Sequence, residues 1–125
     1  MTGYATVGTN DLERAMAYYD ALMAVIGASR ILEYDRIVVW SDEPGGAMFG
    51  ICRPYDGNPA TPGNGCMAGV RASSTEAVDR FHATAVRLGG ADEGAPGDRG
   101  NGFYAGYFRD LDGNKLVVFC LGSGK

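Results

Sequence analysis

The chain has 125 residues, 46 % of them hydrophobic and 21 % charged, which fits one compact domain with a buried core. Its net charge of −4 and pI near 4.8, with no cluster of Lys or Arg, give no electrostatic reason to bind nucleic acid or an anionic membrane. No apolar stretch approaches the roughly 18 residues of a membrane helix, and no charged segment followed by an apolar run marks a signal peptide.

Twenty glycines sit between short apolar runs, a pattern of many turns and short strands. The first strand is expected over Tyr4 to Thr9. NDLERAMAYYDALMAVIG, Asn10 to Gly27, then reads as a helix: Asn10 as N-cap with Glu13 three later, an apolar stripe of Ala15, Tyr18, Leu22 and Val25, and Gly27 as the stop. Strands are expected at Ile31–Leu32, Arg36 to Trp40 and Met48 to Arg53. GNPATPGNG, Gly57 to Gly65, has the Pro and Gly content of a linker.

Beyond the linker the pattern returns at a constant offset of 63 residues. A strand over Cys66 to Ala72 leads to a helix with Ser73 as cap and Glu76 behind it. Val78, Phe81, Ala85 and Leu88 form its stripe, and Gly90 its stop. Cap, stripe and stop all survive the shift, so the chain is two copies of one supersecondary unit. A short strand near Ala91 to Glu93, GAPGDRGNGF (Gly94 to Phe103) as a mobile rim loop, and strands over Phe103 to Arg109 and Lys115 to Leu121 complete it. The fold class is therefore α+β: two βαβββ modules, about 1–56 and 66–122 around the linker 57–65, forming a curved mixed sheet with helices outside.

YFRDLDGNKLVVF, Tyr107 to Phe119, invites a calcium reading through D-x-D-G-N. An EF-hand loop would place its Gly later and end on a bidentate Glu, and no Glu follows here. Asp112-Gly113 between two apolar strands is instead a turn signal, with Asp110 and Asn114 placed to bond turn amides. The Gly-rich Gly94 to Phe103 segment holds Arg99 but lacks a Walker pattern and a following helix, so it is no nucleotide loop. Cys52, Cys66 and Cys120 are scattered and lack C-x-x-C spacing, which favours reduced thiols in a cytoplasmic protein.

VGTNDLERAMAYYDALMAVIGA, VDRFHATAVRLGGA and YFRDLDGNKLVVF resemble the vicinal oxygen chelate superfamily, which contains glyoxalase I, extradiol dioxygenases and bleomycin-resistance proteins. The resemblance implies paired modules around a cup into which two His and one or two Glu direct a metal. The positions of the two His fall at Tyr4 and Met67 and that of the final-strand Glu at Val117, while Phe49 to Arg53 offers no carboxylate. A site of two imidazoles and a carboxylate also needs a second histidine, and the chain has only His82, one residue past Phe81 at the helix edge. No metal and no cofactor are expected.

If Tyr4 and Met67 point into the cup, alternation adds Thr6, Gly8, Gly69 and Arg71, and puts Cys66 on the opposite face. On the last strand Val117 shares a face with Lys115 and Phe119. A five-residue loop over Asp110 to Asn114 would pair Arg109 with Lys115 and Tyr107 with Val117 and add Tyr107 and Arg109 to the wall, while a four-residue loop would swap that parity. Trp40 is a further stacking surface whose facing is open. The resulting expectation is a protein binding a small organic molecule over Tyr4, Met67, Tyr107 and Val117, with Arg71, Arg109 or Lys115 holding a polar or anionic group. The alternatives are a metal-dependent lyase, isomerase or dioxygenase of the glyoxalase type, and a purely structural or interaction domain. A homodimer is implied by the resemblance alone.

Overall fold

Two side-chain caps set the frame of the computed structural model, which describes residues 3–122. Helix α1 (Leu12–Ala24) starts where the Asp11 carboxylate accepts from the Arg14 amide, and α2 (Thr75–Arg87) where the Ser74 hydroxyl accepts from the Ala77 amide. Both caps stand one residue later than Asn10 and Ser73, because each predicted cap is followed by a second residue able to do the same work. Asn10 is otherwise engaged: its side chain bonds the Ala60 backbone in both directions, at 2.7 and 3.1 Å. The shift is the same in both modules, so the repeat itself survives.

The helix stops also need one correction. Gly27 takes φ +76° after α1 as expected, but the left-handed residue after α2 is Gly89, at φ +114°, not Gly90. Gly90 is required for another reason. A Cβ there would lie 2.5 Å from Tyr18 Oη, 2.6 Å from the Arg109 carbonyl and 2.8 Å from the Ala85 carbonyl.

Each helix belongs to one four-stranded mixed sheet. β1 (Tyr4–Gly8), β2 (Ser29–Glu33), β3 (Ile37–Ser41) and β4 (Met48–Cys52) lie in the order β1-β4-β3-β2. β5 (Ala68–Arg71), β6 (Ala91–Asp98), β7 (Phe103–Arg109) and β8 (Lys115–Leu121) repeat it as β5-β8-β7-β6. In both, the first and last strands pair parallel and the rest antiparallel. This is an α+β fold of two βαβββ modules.

The expected rim loop is half strand. β6 runs on through Gly94 to Asp98, slipping register against β7 between Asp92 and Gly94 and again before Gly97. It is an edge strand, where a proline costs no ladder bond on its open side and glycines accommodate bulges, so Pro96 and the glycines do not end it.

Side chains of one sheet face join both helices in a single core: Val38, Trp40, Phe49 and Ile51 from the first module, Val70, Phe108, Leu116 and Val118 from the second. Polar bonds cross the module boundary as well. Tyr18 donates to the Ala85 carbonyl at 3.0 Å, Tyr19 to Asp110 Oδ2 at 2.6 Å, and Asn114 Nδ2 to the Gly8 carbonyl at 2.8 Å. Among the described residues, the opposite face of each sheet carries no helix.

Candidate functional site

The helix-free face of the second sheet carries most of the predicted residues. The turn after β7 is the five-residue form, so Arg109 pairs with Lys115 and Tyr107 with Val117, and these four share a face. A Cβ on Gly69 would touch Val117 and Phe119, which puts the inward row of β5 on that face too. Phe103 and Phe119 stack at 5.5 Å between centroids and extend the floor.

Met67, Arg109 and Lys115 meet in a cavity of about 780 Å³ whose other wall is the segment Thr61 to Cys66. Met67 precedes β5 and is half-exposed. Cys66 was expected on the far face by strand alternation. It lies before the strand begins, where alternation has no force, and it lines this same cavity.

The remaining predicted residues are elsewhere. Arg71 lies at the other end of β5, on a cleft of about 490 Å³ between the modules that also touches Met48 and Phe49. Tyr4 is exposed on the first sheet, over a separate hollow of about 260 Å³ with Ile31 and Met48. Trp40 borders the cleft near Arg71, but it is only 1 % exposed and its indole N–H donates to Asp20 Oδ1 at 3.0 Å. It is a core residue on the helix side and no part of the Tyr107 face. The Arg30 guanidinium, bonded to the same Asp20, holds that carboxyl below the usual carboxylate range.

One charged neighbour of this site escaped the sequence reading. The Arg99 guanidinium lies over the Tyr107 ring, 5.4 Å from its centroid, and the Lys115 ammonium lies 5.6 Å from the same centroid. Arg99 is held by the Ala95 carbonyl at 2.7 Å and passes over Gly94 and Gly97. Only the bulged course of β6 brings it there, and no spacing in the sequence announces it. Glu93 also approaches, 3.5 Å from Arg109 Nε.

The family model described as Glyoxalase/Bleomycin resistance protein/Dioxygenase superfamily matches residues 2–118. The chain belongs to that superfamily. A crystal structure of a glyoxalase/bleomycin resistance protein from Albidiferax ferrireducens T118 is 37 % identical, with 96 % of this chain and 98 % of that one covered and a TM-score of 0.84. A glyoxalase-related enzyme from Fulvimarina pelagi shares the fold at 18 % identity and TM-score 0.72, over 96 % of this chain and 87 % of that one. A lactoylglutathione lyase from Agrobacterium tumefaciens does so at 22 % and 0.65, over 96 % and 92 %. Comparison with curated proteins finds no match.

The metal of this superfamily can be tested against the donors present. The aligned positions hold a phenol, a thioether and an isopropyl group at Tyr4, Met67 and Val117. Among the described residues, no three His, Cys, Asp or Glu side chains gather. His82 lies on the helix side: its Nε2 is 3.0 Å from the Tyr107 carbonyl and 3.2 Å from Asp92 Oδ1. Both are acceptors, so this nitrogen carries its proton toward them. At the edge of the apolar stripe of α2, it is buried against Phe108. These residues do not fit a two-imidazole, one-carboxylate centre.

Proposed function

We propose that this superfamily member binds a small organic molecule on the helix-free face of its second module, without a metal centre. The observation that carries the reading is the cavity where Met67, Arg109 and Lys115 meet, with Pro62 and Cys66 on its other wall. Its size suits a small ligand, and its mixture of apolar surface with a few convergent polar groups is what such sites use. Arg109 and Lys115 anchor the polar end of the ligand, while Arg71, on the cleft at the far end of β5, is a secondary contact.

The proposal includes a cytoplasmic location, supported by three free thiols, and a homodimer, supported by the superfamily and by exposed Tyr4, Ile31 and Leu32. Purified protein titrated with a broad set of small organic molecules is expected to show a saturable rise in melting temperature with some of them. A rise with none would sink the proposal. Trp40, buried on the helix side, is a poor optical reporter, so calorimetry is the second readout. The lyase from Agrobacterium tumefaciens shares this fold, and a metal-dependent reaction would require one Ni, Zn, Fe or Mn per chain after purification without chelators. That result would overturn the metal-free reading.

A further inference from the structure

Two cations lie on one tyrosine of an otherwise acidic protein, and a third stands on the same sheet face. Arg99 and Lys115 both lie against the Tyr107 ring, and Arg109 is the cross-strand partner of Lys115. One carboxylate, Glu93, stands against them, at 3.5 Å from Arg109. Lys115 and Arg99 have no carboxylate partner among the described residues. Counted by formal charge, the face carries two uncompensated positive charges while the whole chain carries −4.

Such an arrangement is built rather than incidental. A Cβ at Gly97 would come within 3.1 Å of Arg99 Nη1, and one at Gly94 within 3.3 Å of Tyr107 and 3.5 Å of Arg99 Nη2. The two glycines leave the channel in which the guanidinium lies, and the Ala95 carbonyl holds it there. The side chain lies exposed along that channel with its guanidinium over the Tyr107 ring. Holding like charges near one ring is unfavourable without an anion, and the tyrosine face offsets only part of that cost.

We propose that this face selects a dianionic ligand, a phosphate monoester or a dicarboxylate with a flat apolar body. Its charged end engages Lys115, Arg99 and Arg109, and its body rests on the half-exposed Met67 and on Phe119. The inference rests on the proposed ligand-binding role of the second-module face and adds the charge class and the part played by Arg99.

The test is calorimetric titration of the full chain with phenyl phosphate, phthalate, benzoate and benzamide at pH 7.5 and low salt. Phenyl phosphate or phthalate is expected to bind about tenfold more tightly than benzoate, with benzamide weaker still. Whichever dianion is tighter names the headgroup. Lys115→Ala and Arg99→Ala are each expected to weaken the better dianion about tenfold and benzamide by no more than about twofold. Lys115→Arg is expected to restore most of the loss. Added salt should erode the dianion affinity and spare benzamide. Benzamide binding as tightly as the dianions overturns the charge inference and leaves the ligand-binding proposal standing. Saturable binding by none of the four overturns the charge inference, and the ligand-binding proposal then stands or falls on the broad melting-temperature screen.

Discussion

At the scale of single residues, the least replaceable positions are set by close approach and by buried hydroxyls. Gly90 faces Tyr18 Oη and two carbonyls at 2.5 to 2.8 Å from where a Cβ would stand, and backbone atoms cannot swing aside. Gly90→Ala is therefore expected to cost about 3 kcal/mol in urea unfolding. Gly27→Ala, in open space at φ +76°, should cost only about 1 kcal/mol. Equal losses would show that the Gly90 contacts relax freely. Tyr18 and Tyr19 make a second case. Burial, then the Asp110 charge, pushes both hydroxyls above the ordinary tyrosine range. Their folded pKa values exceed the unfolded ones, so their contribution is complete below about pH 10 and is lost as pH rises further. Unfolding free energy should fall above that pH by about 1.4 kcal/mol per unit for each tyrosine. Tyr19→Phe should remove about 1.4 kcal/mol per unit from the slope, and an unchanged slope would remove Tyr19 from the account.

At the scale of elements, the repeat makes a paired prediction. Asp11→Ala and Ser74→Ala remove equivalent caps and should each cost about 1 kcal/mol, whereas Ser73→Ala should be close to neutral. A larger loss at Ser73 would return the cap to the residue that the sequence pattern favours. The helices, the place of the hairpin turn and the offset between modules were legible because periodicity, turn residues and capping types are local signals. The hairpin register stayed open between a five- and a four-residue loop until the strand pairing decided it. Which of two adjacent capping residues acts is a different kind of question. It is decided by a partner 50 residues away, since Asn10 is bound to Ala60. β6 was read as a loop beyond Glu93 because local propensity penalises Gly and Pro, and only its edge position in the sheet forgives them. The site divided in the same way. Tyr107, Arg109, Lys115 and Val117 followed from alternation and loop length. Arg99 depended on bulges, and the burial of Trp40 on which face of β3 meets α1.

At the scale of the whole molecule, the D-x-D-G-N turn joins the two modules. Asp110 Oδ1 accepts from the Asp112 and Asn114 amides, and Oδ2 accepts from the Tyr19 hydroxyl and from Asn114 Nδ2. Asn114 Nδ2 also donates to Gly8 of β1, and Asp112 Oδ1 accepts from the Asn10 amide and approaches Arg14 at 3.5 Å. One turn of the second module thus grips the strand–helix junction of the first, and both Asp110 carboxylate oxygens and Asp112 Oδ1 accept from protein donors. Asp110→Ala strips an acceptor from four donors, most of them buried, and should cost about 4 kcal/mol, a large share of the stability of a domain this size. Because those donors belong to both modules, the loss should be shared. Native-state hydrogen exchange is expected to show β1–β4 amides and β5–β8 amides losing protection together, by similar factors. Asp110→Asn keeps an acceptor for the two turn amides but must turn an N–H₂ toward either Tyr19 or Asn114, so an intermediate loss is expected. Exchange that rises in the second module alone would mean that the shared core, with Tyr18 against Ala85, holds the modules together without the turn.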